Sequence, residues 1–156
     1  MPYIKRTDRK KYEPYLRRFA GYATRLDWLG PQATFVELQS DVNEIVALIS
    51  TEGELNYNLS WLSWKYFDSK RSYSRANEIT DSLNKVYDKL FVDSDVELST
   101  HYEVIVYKLC IYKSNPVFRT RGVLRDVEAE FRRRRVDLYE DEKINTPENG
   151  DLEFHD

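Results

Sequence analysis

Four consecutive arginines, Arg132–Arg135, are the densest group of side chains in the sequence that could do chemistry. On a helix, Arg134 and Arg135 would point toward the apolar side. A buried guanidinium needs a carboxylate or a bound anion, because an unpaired buried charge is costly. The run therefore predicts either a phosphate- or carboxylate-binding pocket or ion pairs with Glu128 and Glu130, which lie one helical turn earlier.

The side chains that could catalyse a reaction or bind a metal form no recognisable motif in the sequence, so we predict no metal and no cofactor. His101 and His155 are too isolated for a metal cluster or a catalytic triad. The acids do not repeat the ExxE spacing with which all-α nucleotide hydrolases hold magnesium. Cys110 is the single cysteine, which excludes an internal disulfide. Ser60, Ser63 and Cys110 have no sequence neighbours that would activate them as nucleophiles.

The stretch Gly53–Phe67 is the element expected to position the rest of the chain. Its spacing predicts a helix with two apolar sides. One side carries Leu55, Leu59, Leu62 and Tyr66. A surface helix buries one stripe, so a second stripe predicts either a central helix or a surface that meets a partner. The second stripe, and the candidate interface, consists of Tyr57, Trp61 and Trp64.

Apolar residues recur at helical spacing in five further stretches. Residues 1–8 are expected to be an extended arm. Gly53 is expected to end the helix that precedes the central one, and Ser94 or Asp95 is expected to cap the helix that begins at Val96. Residues 96–112 also alternate well enough to form a strand, but a single strand would have no partner. The expected helices are Lys11–Leu26, Phe35–Ser50, Ser74–Val92, Val96–Tyr112 and Phe118–Leu138.

These stretches predict an all-α fold, a five- or six-helix bundle built from helical hairpins. Residues 1–138 would form a single helical domain, and residues 139–156 an acidic, irregular C-terminal tail. A repeat of about 41–43 residues would align Glu54–Leu55 with Glu97–Leu98. Two amphipathic hairpins that resemble each other by necessity explain the similarity equally well.

The composition is typical of a charged helical protein, and the lack of long apolar segments indicates where in the cell it is expected. Of the 156 residues 33% are charged, and only five are glycine and five proline, which favours long helices over a many-stranded sandwich. No apolar run reaches the roughly 18 residues of a membrane span, and the N-terminus lacks the apolar core of a signal peptide. We therefore expect a cytoplasmic protein with no membrane association.

Charge is distributed unevenly along the chain, whose net charge is −3. Residues 1–18 carry seven basic and two acidic side chains, whereas residues 137–156 carry eight acids and one lysine. The two ends could attract each other. An acidic tail would compete with nucleic acid for a basic surface, so nucleic acid is not the expected partner.

Several short motifs are specific in combination. They are MPYIK with Arg9, Gly53–Tyr57, Tyr73–Glu78, Gly122–Leu124, Glu130–Phe131, Arg133–Arg134, Tyr139–Asp141 with Lys143, and Asn149–Asp151. In this combination the sequence resembles a family of small uncharacterised proteins of bacteria and their phages, from which it departs by an added segment at residues 27–50 and an inserted block at residues 90–118. The resemblance implies a small helical protein from a phage or prophage and supplies no activity.

Polar or amphipathic residues at the positions of this resemblance are the candidate ligand-binding residues. Asparagine is a poor helix former, so Asn56 and Asn77 indicate hydrogen bonds, either within the core or to a ligand. If the set converges, it would form a cleft with two cations that suits a nucleotide-like anion. The set consists of Asn56, Tyr57, Asn77, Glu130, Arg133, Arg134 and Tyr139.

Three functions follow, in order of preference. The first is a non-enzymatic binding or regulatory protein, such as a phage accessory factor, that acts through a protein partner or as a dimer. The second is a small-ligand binder that captures a phosphorylated, nucleotide-like anion. The third, an all-α nucleotide hydrolase, lacks the carboxylates that such an enzyme needs.

Overall fold

The computed structural model describes residues 4–18, 32–111 and 117–136, with side chains at 4–18, 39–111 and 120–135. Every regular element in these ranges is helical, which confirms the all-α prediction. The predicted acidic tail, residues 139–156, lies outside the described residues. The elements are α1 (Arg6–Lys10), α2 (residues 13–18), α3 (Gln32–Leu48), α4 (Glu52–Asp68), α5 (Tyr73–Phe91), α6 (His101–Cys110) and α7 (Val117–Phe131), followed by a π-helical turn (Arg132–Val136).

The N-terminal segment is helical earlier than expected. The prediction of an extended arm over residues 1–8 is wrong from Arg6 onward, where α1 begins. A turn at residues 11–12 separates α1 from α2, because Pro14 has no N–H to donate to the carbonyl of Lys10. Tyr12 and Leu16 are fully buried after this turn, so the segment packs onto the rest of the protein.

Helix α4 supplies the centre of the core, as its first stripe predicted. Leu55, Leu59 and Leu62 have no exposed surface and Tyr66 only 1%. Helix α4 packs against α5, α6 and α7. Burying each such side chain contributes about 1.5–3 kcal/mol, so this stripe is a major source of stability. The predicted core residues of the other helices that are also buried are Val42, Ile45, Ile49, Ile79, Leu83, Val86, Tyr102, Ile105, Leu109, Leu124, Val127 and Phe131.

Two threonine N-caps determine where α4 and α6 begin. The Thr51 side chain accepts a hydrogen bond from the backbone N–H of Glu54 at 3.1 Å, and Thr100 accepts one from that of Glu103 at 3.1 Å. The prediction that Gly53 ends the preceding helix is therefore wrong, since it lies in the first turn of α4. Helix α6 begins at His101, so the predicted start at Val96 is five residues early.

The N-caps also change the register of the proposed internal repeat. Glu54 occupies the third position of α4, and its structural equivalent is Glu103 at the third position of α6. Glu97, with which the sequence alignment pairs Glu54, precedes α6 and is not helical. The predicted period of about 41–43 residues therefore does not superimpose the two helix starts.

The Thr100 cap makes a first testable prediction. Replacing Thr100 with alanine is expected to cost about 1 kcal/mol of unfolding free energy, because an N–H at the start of α6 loses its acceptor. For a protein of this size the Tm should fall by about 2–4 °C, and urea denaturation measures the free energy directly. The matched control is Ser94→Ala, at the cap position expected from sequence, which should change stability by less than about 0.5 kcal/mol. An equal loss in both variants would contradict the observed helix start.

None of the helices within the described ranges combines the length and apolar character needed to cross a bilayer.

Candidate functional site

The second stripe of α4 lines a groove on the protein surface. Tyr57, Trp61 and Trp64 are half-buried along one side of the helix, and they line an open groove of about 350 Å³. The Tyr57 ring lies 6.4 Å from that of Tyr12, and the Trp64 ring meets Phe131 edge-on at 5.9 Å between centroids. The row is therefore anchored to the core on one side and open on the other. We call this surface the aromatic groove.

The other walls of the aromatic groove come from both ends of the described chain. Arg9 of α1 lies on one side, and Glu130 of α7 with Arg134 of the π-helical turn on the other. A second hollow of about 330 Å³ shares Tyr57, Trp61 and Lys65 and extends the surface toward Glu13 and Arg17. The remaining lining residues of the aromatic groove are Ser60, Lys65 and Asp68.

A cation lies against each ring of the row. The Arg9 guanidinium is 5.6 Å from the Tyr57 centroid, and the Lys65 ammonium is 5.1 Å from that of Trp61. The Arg135 guanidinium stacks at 4.0 Å from the Trp64 centroid. These distances fall within the range of cation–π attraction. The aromatic groove therefore has an apolar floor with one cation against each of its three rings.

The arginine run is held by carboxylates of the preceding turn. Glu130 accepts hydrogen bonds from Arg133 at 2.7 Å and from Arg134 at 2.5 Å, and Arg132 pairs with Glu128 at 2.6 Å. The hydrogen bonds from Arg133 and Arg134 lower the pKa of Glu130 below its ordinary value. The ion pairs expected from sequence are present, and they fix Arg134 at the wall of the groove.

A buried carboxylate fixes the N-terminal wall. Glu54 is only 6% exposed. It accepts hydrogen bonds from Ser50 at 2.9 Å and from the Tyr12 hydroxyl, and it forms an ion pair with Lys11 at 2.8 Å. Burial alone would raise the pKa of Glu54, but the hydrogen bonds from Lys11, Tyr12 and Ser50 and the charge of Lys11 lower it below its ordinary value. Glu54 thus ties the segment that carries Arg9 to α4.

The structure brings some of the predicted ligand-binding residues together. Tyr57, Glu130 and Arg134 line the aromatic groove, together with the predicted interface residues Trp61 and Trp64. The two predicted sets therefore meet at one surface. This convergence joins α4, α7 and the π-helical turn, and π-helical turns occur frequently at functional sites.

The other predicted ligand-binding residues lie elsewhere or contact the groove indirectly. Arg133 reaches the groove only through its ion pair with Glu130, and 64% of its side chain is exposed. Asn56 accepts a hydrogen bond at 3.0 Å from Ser60, a lining residue. Asn77 lines a separate polar groove of about 460 Å³ with Asp81 and Glu103 among others. Tyr139 lies outside the described residues.

The side chains considered as nucleophiles have structural roles. The hydroxyl of Ser63 is buried, donates to the carbonyl of Leu59 at 2.8 Å and lies 2.6 Å from the Tyr102 hydroxyl. Cys110 is fully buried, and burial raises the pKa of its thiol. Ser60 donates to Asn56. In the part of the chain that the structure describes, no three His, Cys, Asp or Glu side chains are grouped so that they could hold a metal ion.

Three cations and one buried amide at or near the site lie outside the predicted ligand-binding and interface sets, although Arg135 belongs to the arginine run that predicted an anion pocket or ion pairs. Lys65 lies four residues after Trp61 on the same helix, a spacing that brings side chains together, so the sequence contained its signal. Arg9 and Arg135 reach the row only through tertiary packing. Asn58 is fully buried and donates to the carbonyl of Glu54 at 2.8 Å; its side-chain oxygen has no hydrogen-bond partner among the described residues.

Comparison with known proteins identifies a family. Residues 1–93 match the model of a family described as "Domain of unknown function (DUF6899)". The match includes α1 to α5, and with them the whole aromatic row, but it ends before Glu130 and the arginine run. It agrees with the expected uncharacterised family. Searches of curated proteins and of solved structures found no match.

Proposed function

The chain belongs to the DUF6899 family, and from its aromatic groove we propose that it is a non-enzymatic binding protein that holds a segment of a protein partner. The observation that carries the proposal is the row of Tyr57, Trp61 and Trp64, half-buried in an open groove. Tryptophan, tyrosine and arginine are the residues most enriched at the centres of protein interfaces. Here all three types meet at one surface.

The burial of the row supports an interface. Fully buried rings would belong to the core, and fully exposed rings would leave an apolar patch in water. Tyr57 and Trp61 pack partly against the core, which fixes their orientation before a partner arrives. Rings held in this way lose little conformational freedom on binding, so more of their contact energy contributes to affinity.

The biological setting is part of the proposal. The motif combination resembles bacterial and phage proteins, so we place the chain as a phage or prophage accessory factor that acts in the cytoplasm. The partner segment belongs either to a second copy of the chain or to another protein. Sedimentation of the purified protein distinguishes these two cases, because only self-association changes the mass of the isolated chain.

A second candidate function is the binding of a phosphorylated, nucleotide-like ligand. The observation in its favour is the size and lining of the groove: about 350 Å³ with aromatic walls and Arg134 at one side. Small-molecule sites occupy a similar volume and are lined by aromatic side chains with a few polar groups. A single-phosphate ligand is therefore included among the probes described below.

A position-specific photo-crosslinker tests the proposed function. Asp68 is exposed and lines the aromatic groove, whereas Asp81 is also exposed but lines the separate polar groove. We expect a photoreactive amino acid at position 68, in the full chain within its source cells, to capture a partner segment that position 81 does not capture. The captured segment is then identified by mass spectrometry.

A variant of the groove completes this experiment. Trp61→Ala should abolish capture from position 68, because the segment loses a central contact. Capture that is equal from both positions, or that persists in Trp61→Ala, would contradict the proposed function. Circular dichroism of Trp61→Ala confirms that a loss of capture does not come from unfolding.

A further inference from the structure

We infer that the segment held by the aromatic groove is acidic and carries an apolar or aromatic anchor. This inference rests on the proposed function and specifies the chemistry of the partner. It follows from two properties of the described residues around the groove: the excess of positive charge and the way in which the cations are spaced.

The charge around the groove is opposite in sign to that of the whole chain, whose net charge is −3. Among the described residues that line the two hollows or contact the lining side chains, seven are basic and three are acidic. The three acids all pair with arginines: Glu13 with Arg17, Asp68 with Arg71, and Glu130 with both Arg133 and Arg134. The other basic residues are Arg9, Lys65 and Arg135.

The cations are spread along α4 and do not converge on one point. Arg9, Lys65 and Arg135 contact different rings, those of Tyr57, Trp61 and Trp64. The seven steps along the helix from Tyr57 to Trp64 span about 10 Å at the helical rise of 1.5 Å per residue. A single phosphate needs its cations within hydrogen-bonding distance of one group. A row of this length instead suits a series of anionic groups.

A polypeptide with several carboxylates matches this spacing. An extended segment rises about 3.3 Å per residue, so roughly three residues cover the row, and side chains two residues apart point the same way. Side chains on the face toward the groove could place carboxylates near successive cations and an apolar side chain between the rings. The aromatic floor supplies the contact area for that anchor, and the cations supply attraction and orientation.

Three matched peptides test the inference on the full chain. Each has about ten residues and the same central phenylalanine and leucine anchors, with glutamate, glutamine or lysine at all other positions. Fluorescence anisotropy should show the glutamate peptide binding at least about tenfold more tightly than the glutamine peptide, and the lysine peptide not binding. Raising the salt from about 50 to about 500 mM should remove most of this difference by screening.

Charge reversal locates the effect in the groove. The double variant Arg9→Glu and Lys65→Glu should bind the glutamate peptide at least about tenfold more weakly than wild type does, and it should gain affinity for the lysine peptide. The control is Arg121→Glu with Arg125→Glu, which makes the same change in net charge on another face, where these arginines lie over Phe91 and Tyr87 at 4.8 and 3.9 Å. The control should bind the glutamate peptide within about twofold of wild type.

Two results would overturn the inference. One is equal binding of the glutamate and glutamine peptides. The other is binding of adenosine monophosphate, used as the single-phosphate probe, more tightly than the glutamate peptide and in an Arg134-dependent way. The proposed function is tested separately by capture from position 68. If capture depends on Trp61 but the segment is not acidic, the proposed function stands and this inference is wrong.

Discussion

Replacing Glu54 with alanine is expected to lower the free energy of unfolding by about 3 kcal/mol. The substitution removes a buried acceptor from the hydroxyls of Tyr12 and Ser50 and from the Lys11 ammonium. Losing a buried acceptor of charge-assisted hydrogen bonds costs about 1–3 kcal/mol, and removing this negative side chain from the first turn of α4 contributes up to about 1 kcal/mol more. The predicted fall in Tm is about 6–12 °C.

A neighbouring acid provides the control for this variant. Glu52 lies in the same first turn of α4 but is exposed. Glu52→Ala should therefore change the free energy of unfolding by less than about 0.5 kcal/mol. Urea denaturation of the two variants beside wild type measures the difference. Similar values for Glu54→Ala and Glu52→Ala would show that the Glu54 network does not hold the N-terminal segment.

The same carboxylate predicts a pH dependence. The pKa of Glu54 is lowered in the folded protein from its ordinary value of 4.5. Its ionised form therefore contributes stability that is complete above about pH 4.5 and is lost as the pH falls through the folded-state pKa. Glu54→Gln lacks this contribution. The gap in unfolding free energy between wild type and Glu54→Gln should be constant near neutral pH and should narrow in acid.

The fold was predictable where local pattern determines structure. Leu55, Leu59 and Leu62 follow helical spacing, and all three are fully buried, because a helix that buries one side must repeat its apolar residues at that spacing. The same reasoning found many of the buried residues of the other helices, but not Val106 or Val123. The prediction that these elements are helices therefore required no knowledge of tertiary contacts.

Helix starts were predicted less well, because two local signals competed. A glycine after an apolar stripe often ends a helix, and this rule assigned Gly53 to the preceding element. The sequence Thr51–Glu54 is also a capping box, which starts a helix, and in the structure that signal determines the boundary. Likewise Thr100 with Glu103 was a stronger start signal than Ser94.

The site was predictable only in part, because its walls meet through tertiary packing. The second stripe of α4 identified Tyr57, Trp61 and Trp64 from spacing alone. Their juxtaposition with Arg9 and Glu130 joins residues far apart in the sequence, and no local pattern encodes this contact. Asn77 was predicted together with Tyr57 and Glu130 as a ligand-binding residue, but it lines a different groove.

The largest effect on binding is expected from the two tryptophans of the groove. Replacing both Trp61 and Trp64 with alanine should weaken the binding of the partner segment by about 100-fold or more. A hot-spot aromatic contributes about 2 kcal/mol or more to binding, which corresponds to about 30-fold in the dissociation constant. The two contributions need not add, because the side chains share one surface.

Two companion variants separate binding from folding. Trp64 contacts Phe131 and lies beneath Arg135, so its removal also affects stability. Trp64→Phe keeps a ring at this position and should lose less affinity than Trp64→Ala. Tyr87→Ala is the control on another face, where a half-buried ring also lies beneath an arginine, and it should leave the affinity unchanged.

The most direct test of the groove as the binding site is one dissociation constant, measured by calorimetry for the segment captured from position 68. It should be compared between the full-length wild type, the folded Trp61→Ala and Trp64→Ala double variant, and Tyr87→Ala. We predict a loss of about 100-fold or more in the double variant and a value within about twofold of wild type in the control. A folded double variant that binds within about twofold of wild type would contradict the assignment of the aromatic groove as the site.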